Sequence, residues 1–241
     1  KDPLSHFSAL RTRSVDEFCH RLSGLFSVGA IDFGRGDEQN FHGRLNHYAG
    51  KDITLSYGRY DAPLAATILN ADNFIQGFPL GGKGISVVDG SESALQDNHG
   101  LVGGPGAKVS LKYSDDFQHF VLTIKPQAVI RKLGALIGYP ADKQLQMDFE
   151  VVPHAPELRR LVQFVVRELD EGAGSLPPLV LAELEQSLIV SFLCGNRHNY
   201  SRFLDGTPKA AAPREVRRVE EYVEHHWDQP ITIEALALIA N

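Results

Sequence analysis

Cysteine is almost missing from this 241-residue chain, which contains only Cys19 and Cys194. Two thiols so far apart could pair, but a chain of this size needs no covalent staple, and both are read as reduced. The first residues, Lys1 to Arg13, lack the uninterrupted apolar core of a secretory signal, so the expected compartment is the cytoplasm. Long apolar runs are lacking too, and nothing approaches the roughly 18 consecutive apolar residues of a membrane span. Nor is there a surplus of positive charge. Against 30 Asp and Glu stand 24 Lys and Arg, a net charge of −6, which argues against the whole chain being a nucleic-acid platform. That balance leaves open a DNA-binding part lying mostly beyond the last residue.

Metal-ligand spacing is also absent. Among ten histidines, His42 and His47 stand five apart and His119 stands alone on a hairpin. His225 and His226 are adjacent on an expected helix and point in different directions. A metal needs three or more convergent N or O ligands, and none is expected here. Gly81-Gly82-Lys83-Gly84 and Gly104-Pro105-Gly106 lack the spacing and the Lys-Ser/Thr ending of a phosphate-binding loop. Neither cysteine sits near an obvious catalytic His and Asn constellation, and Cys194 reads as a small packed residue. No catalytic residue and no cofactor are implied.

What is present is ordinary globular composition, 43% hydrophobic and 22% charged. Candidate strands are Val28–Phe33, Ile53–Tyr60, Leu64–Leu69, Phe74–Leu80, Gly84–Val88, Lys108–Tyr113 and Phe117–Ile124. Phe74, Phe78 and Leu80, like Val109, Leu111 and Tyr113, fall on one side of a period-2 pattern. Turn signals recur between them at Gly81-Gly82, Asp89-Gly90, Gly103 to Gly106 and Ser114-Asp115-Asp116, which implies an antiparallel sandwich or barrel. After Pro126 the period becomes helical. Segments 127–138, 156–169 and 179–195 carry apolar stripes, the first stopped by Gly138 and Pro140. The last two suggest an antiparallel helical hairpin. Residues 207–213 form a short linker of small residues and proline. Beyond it Val216, Val219, Val223 and Trp227 mark a helix, Asp228-Gln229-Pro230 a turn, and Thr232 the N-cap of a final helix, with Glu234 in its first turn.

The stretch from Val216 through Trp227-Asp228-Gln229-Pro230-Ile231-Thr232-Ile233-Glu234 to Ala240 resembles the opening of the AraC/XylS DNA-binding domain. Upstream, Gly43-Arg44-Leu45-Asn46-His47, Ser56-Tyr57-Gly58, the strand from Phe74, Gly103 to Gly106 and Tyr113-Ser114-Asp115-Asp116 resemble, in that order, the cupin-like regulatory domain of the XylS branch. This resemblance implies an α+β fold: a cupin-like antiparallel β-barrel, then a helical hairpin, then the first helices of a truncated helix-turn-helix domain. The boundaries it implies are an N-terminal helical arm at 1–24, an effector-binding barrel at 25–138 and a helical dimerisation region at 139–206. The linker at 207–213 and the start of the DNA-binding domain at 214–241 follow. A recognition helix and a second such motif come later in the family, so the chain by itself is not expected to read DNA.

The implied function is a ligand-responsive, DNA-binding transcription activator, homodimeric, with promoter DNA as the full-length partner. Basic and polar residues crowd the first quarter, and the resemblance suggests that Arg44 and His47 meet an effector at the mouth of the barrel. The candidate effector-binding set is Arg35, Arg44, His47, Tyr57 and Arg59. Because guanidinium groups match carboxylates and phosphates, the expected effector is a small anion. The resemblance to the XylS branch suggests an aromatic carboxylate, and the number of arginines leaves a nucleotide second messenger open. The competing reading pairs these charges with Asp32, Asp37, Glu38, Asp52 and Asp61 on the surface. Two other functions remain as alternatives: a cupin-type metal-dependent enzyme, and a ligand-free dimerisation module.

Overall fold

The computed structural model describes residues 2–26, 28–33, 41–69, 71–106, 108–138, 140–141, 144–147, 150–172, 176–204, 214–227 and 231–240. Arg35 and the linker at 207–213 lie outside the described residues. The strands are β1 (Ser8–Thr12), β2 (Val28–Phe33), β3 (Gly43–Ala49), β4 (Ile53–Arg59), β5 (Leu64–Ile68) and β6 (Phe74–Gly81). They continue with β7 (Gly84–Val88), β8 (Ser91–Leu95), β9 (His99–Gly103), β10 (Val109–Tyr113), β11 (Gln118–Ile124) and β12 (Glu150–Pro153). The helices are α1 (Val15–Phe26), α2 (Pro126–Ile137), α3 (Pro156–Glu171), α4 (Pro178–Gly195), α5 (Ser201–Leu204), α6 (Arg214–His225) and α7 (Ile233–Ala240).

Two sheets result, ordered β1-β3-β4-β11-β6-β9-β12 and β2-β5-β10-β7-β8, and the described pairings are antiparallel. The fold is mixed α+β, with two antiparallel sheets of the cupin-like kind. Asp89 and Gly90 link β7 to β8 with φ of 49° and 80°, as a two-residue hairpin loop of left-handed residues requires.

The seven-stranded sheet has a core on each face. On β4, Ile53, Leu55 and Tyr57 join the core that contains Leu133 of α2, Val162 and Val165 of α3, and Leu188 and Phe192 of α4. The residues of alternate parity face the second sheet, where Leu64, Leu111 and Phe117 pack with Phe18 and Leu22 of α1. A strand buried on both sides shows little polar alternation, and β4 has only Thr54 and Arg59 short of full burial.

The structure adds elements to the expected order. The region read as a helical arm also contains β1, which pairs with β3. The region read as purely helical begins with β12, paired with β9. β3, β8 and β9 were not among the candidate strands. β8 is mostly exposed and Ser-Glu-Ser-Ala-Leu has little apolar content to betray it. The helices lie close to their expected ranges, and Ala235 N–H donates to Thr232 Oγ1 at 3.2 Å, the expected N-cap. By length and composition α4 could cross a membrane, with mean hydropathy 1.4, contrary to the reading that no segment comes near. It instead buries Leu188, Ile189, Phe192 and Leu193 in the core.

Candidate functional site

Between the two sheets lies a cavity of about 80 Å³. The seven-stranded sheet supplies Ser56 and Gly58 from β4, Ile75 and Gly77 from β6, and His119 and Val121 from β11. Opposite them stand Leu64, Ala66 and Ile68 of β5 and Leu111 and Tyr113 of β10. Leu22 and Phe26 of α1 close one side. Strand parity accounts for the lining, because i and i+2 share a face.

The lining is apolar except for the Tyr113 hydroxyl and two hydrogen-bonded pairs. Tyr60 Oη and His119 Nε2 are 2.6 Å apart, and Ser56 Oγ is 2.8 Å from His47 Nδ1. Gly58 makes the first pair possible. It stands opposite His119 in the β4–β11 register, and a Cβ there would fall 2.7 Å from Tyr60 Oη and 3.1 Å from His119 Nε2. Tyr60, Tyr113 and Phe117 form a ring stack, with centroids 5.8 and 4.2 Å apart and planes within 12° and 6°. His119 sits edge-on or tilted to all three, at 5.2 to 5.7 Å.

Burial decides the charge state of this wall. Desolvation lowers His119 to about 4, so the imidazole is neutral at physiological pH. Burial, with the nearby Tyr113 and Tyr57, pushes Tyr60 well up, and burial likewise raises Tyr113. His47 is lowered by burial and by the cation of Arg21. Among the described lining residues there is no Lys, Arg, Asp or Glu.

The residues expected to bind an effector are dispersed with respect to this cavity. Arg44 and Arg59 face each other across β3 and β4 and share Asp61, at 3.8 and 2.7 Å, while Arg44 also reaches Asp2 at 3.3 Å. Tyr57 lies in the core on the helix-bearing face and donates to Gln118 Oε1 at 3.0 Å. All three occupy the sheet face away from the cavity, since each differs by one position from an inward residue. His47 alone approaches it, through Ser56. Arg35 lies outside the described residues. In this structure Arg44 and Arg59 share Asp61 as their anion. Tyr60, at the end of a candidate strand, and His119, a lone histidine on a hairpin, carry no sequence motif that marks them as lining a site. The available signal was the period of two: with Tyr57 placed inside a core, Ser56, Gly58 and Tyr60 must share the other face. Among the described residues no group of three His, Cys, Asp or Glu side chains is placed to hold a metal ion.

Residues 27–194 match the family described as AraC-binding-like domain. No curated protein matches the chain by sequence. Among solved structures, the AraC-like transcriptional activator CuxR is 11% identical, with 97% of this chain and 83% of that one superposed at a TM-score of 0.58. ToxT from Vibrio cholerae, bound to (E)-4-(8-methylnaphthalen-1-yl)but-3-enoic acid, is 10% identical over 82% of this chain and 70% of its own, with a TM-score of 0.41. At such identities the likeness to CuxR speaks for the fold alone.

Proposed function

The chain belongs to the AraC-binding-like domain family, and from that premise we propose that it is the effector-sensing and dimerising part of a transcription regulator. One observation carries this reading: a cavity lies on one face of a sheet whose other face holds the helices. A molecule in the cavity presses on β4, β6 and β11. The same strands pack against α2, α3 and α4, so occupancy can favour one helix arrangement over another, which is what coupling between sites requires.

In this proposal α6 and α7 open a helix-turn-helix domain, with Thr232 capping α7, and the regulator acts as an activator in the cytoplasm. The outward side of α4, which exposes Leu179 at 73% and Val180 at 43%, forms the seam of a homodimer. Asp61 and Asp2 satisfy Arg44 and Arg59, so the arginine argument for an anionic effector does not extend to the cavity.

The test is DNA binding by fluorescence anisotropy on promoter fragments. A protein carrying a complete DNA-binding domain is expected to bind specifically, with an affinity that changes on adding a cavity ligand. The 241-residue chain is expected not to bind specifically. Specific binding by the 241-residue chain alone, equal to that of the longer protein, would refute the proposed division of labour.

A further inference from the structure

Resting on the reading of the cavity as an effector site, we infer that the effector is an uncharged, flat, mainly apolar molecule carrying a single hydrogen-bonding group, such as a phenol or aromatic alcohol. The argument begins with the wall. Tyr60, Tyr113 and Phe117 are stacked with nearly parallel ring planes, Tyr113 being common to both pairs, and aliphatic side chains from β5, β6 and β10 line the same space. Ring compounds gain from offset or edge contacts with such a wall, beyond their buried area. The space of about 80 Å³ is several times the ~10–15 Å³ that one water needs and about half of a cavity known to take benzene, so it limits the ligand to a small body of at most one ring.

Charge is excluded by what surrounds that space. No cationic or anionic side chain belongs to the described lining. His119 is neutral near pH 7 because burial opposes its imidazolium. Arg44 and Arg59 are on the opposite face and held by Asp61. Arg21, the cation that acts on His47, is exposed on α1 and is not part of the lining. A carboxylate drawn into the cavity would lose its hydration and meet no counter-charge.

One uncharged polar group, by contrast, has an answer. A tyrosine hydroxyl has one donor and two acceptor positions, and the bond to His119 Nε2 uses only one of them. Whichever of the two donates in that pair, Tyr60 Oη keeps a hydrogen-bonding position for a ligand. Ser56 Oγ, paired with His47, offers the same from the middle of β4. The site therefore reads a hydroxyl or carbonyl and rejects an ion.

Isothermal titration calorimetry at neutral pH with 4-ethylphenol, 4-ethylbenzoate and ethylbenzene separates the possibilities. The phenol is expected to bind at least about tenfold tighter than the carboxylate. Tyr60→Phe should weaken the phenol about fivefold, the value of one uncharged hydrogen bond, and leave ethylbenzene unchanged. Gly77 marks free space, since a Cβ there meets nothing nearer than 3.9 Å. Gly77→Val should therefore fill the cavity and abolish binding, and Ala66→Leu on the facing sheet provides a second filler should the first fold poorly. Equal or tighter binding of 4-ethylbenzoate, lost on filling, overturns the uncharged class while leaving the cavity as the effector site. Failure of all three probes to bind folded protein overturns the cavity reading and this inference with it. Binding that survives both fillers does the same.

Discussion

His119 sits where a positive charge has nothing to answer it. Its ring lies among Tyr60, Tyr113 and Phe117, and its folded-state pKa falls to about 4 from an ordinary 6.5. The consequence for stability has a definite sign. Between those two values the unfolded chain binds the proton and the folded chain does not, so stability declines as pH falls from about 6.5 toward 4. Below that both states are protonated and the dependence ends. For this group the loss amounts to about 3 kcal/mol at pH 4. His154, stacked on Phe78 at 4.7 Å and lowered to about 4 chiefly by burial, acts in the same direction. Urea unfolding followed at pH 7, 5.5 and 4 should show this decline, and His119→Gln should reduce it, leaving the share of His154. A midpoint independent of pH over that interval would mean that the imidazole is not held neutral by the fold.

Helix α4 is tied to the barrel by its one buried carboxylate. Glu185 accepts hydrogen bonds from the backbone N–H groups of Lys51 at 3.1 Å and Asp52 at 2.9 Å, both in the turn between β3 and β4. Gly50 is required beside it, because a Cβ there would lie 2.2 Å from Glu185 Oε1. The same turn is gripped by α2, where Arg131 pairs with Asp52 at 2.7 Å, and Lys125 N–H donates to Asp52 O at 3.0 Å. Glu185→Ala should cost about 3 kcal/mol, since it strands two backbone donors, one of them buried. Glu185→Gln should cost less, because one acceptor oxygen remains. Chemical denaturation measures both, and equal small losses would show that the turn holds without the helix. Since β4 runs from this turn directly to Ser56 and Gly58 in the cavity, the contact joins the candidate sensing strand to the helical layer.

Across the whole molecule the helical layer has an inner, packed side and an outer one. Leu188, Ile189, Phe192 and Leu193 bind α4 to the sheet, while Leu179 and Val180 face outward. The proposed dimer uses that outward side. Replacing both Leu179 and Val180 by Glu is expected to convert a dimer to a monomer in analytical ultracentrifugation. The melting temperature of the barrel should change little, because exposed positions away from packed features contribute within about 0.5 kcal/mol. A wild-type protein that sediments as a monomer at all concentrations, or a dimer untouched by the double substitution, would place the seam elsewhere or remove it.

By itself the sequence determined the periodicities, and with them seven of the described strands (β2, β4, β5, β6, β7, β10 and β11), the helices that follow, the hairpin glycines and the Thr232 cap. These are local: each follows from side-chain spacing along a few residues, or from the φ that a glycine permits. It could not determine which face of a doubly covered strand looks into a cavity. Ser56 and Tyr57 are adjacent and both buried, and with a core on each side no polar face marks the direction. That choice came from the register of β3, β4 and β11 and from the helices that claimed Tyr57. Only in the folded chain does Asp61 meet both Arg44 and Arg59, and only there do residues 60, 113 and 119 converge, because a one-residue shift of parity sends a charge out to solvent or a ring into the barrel.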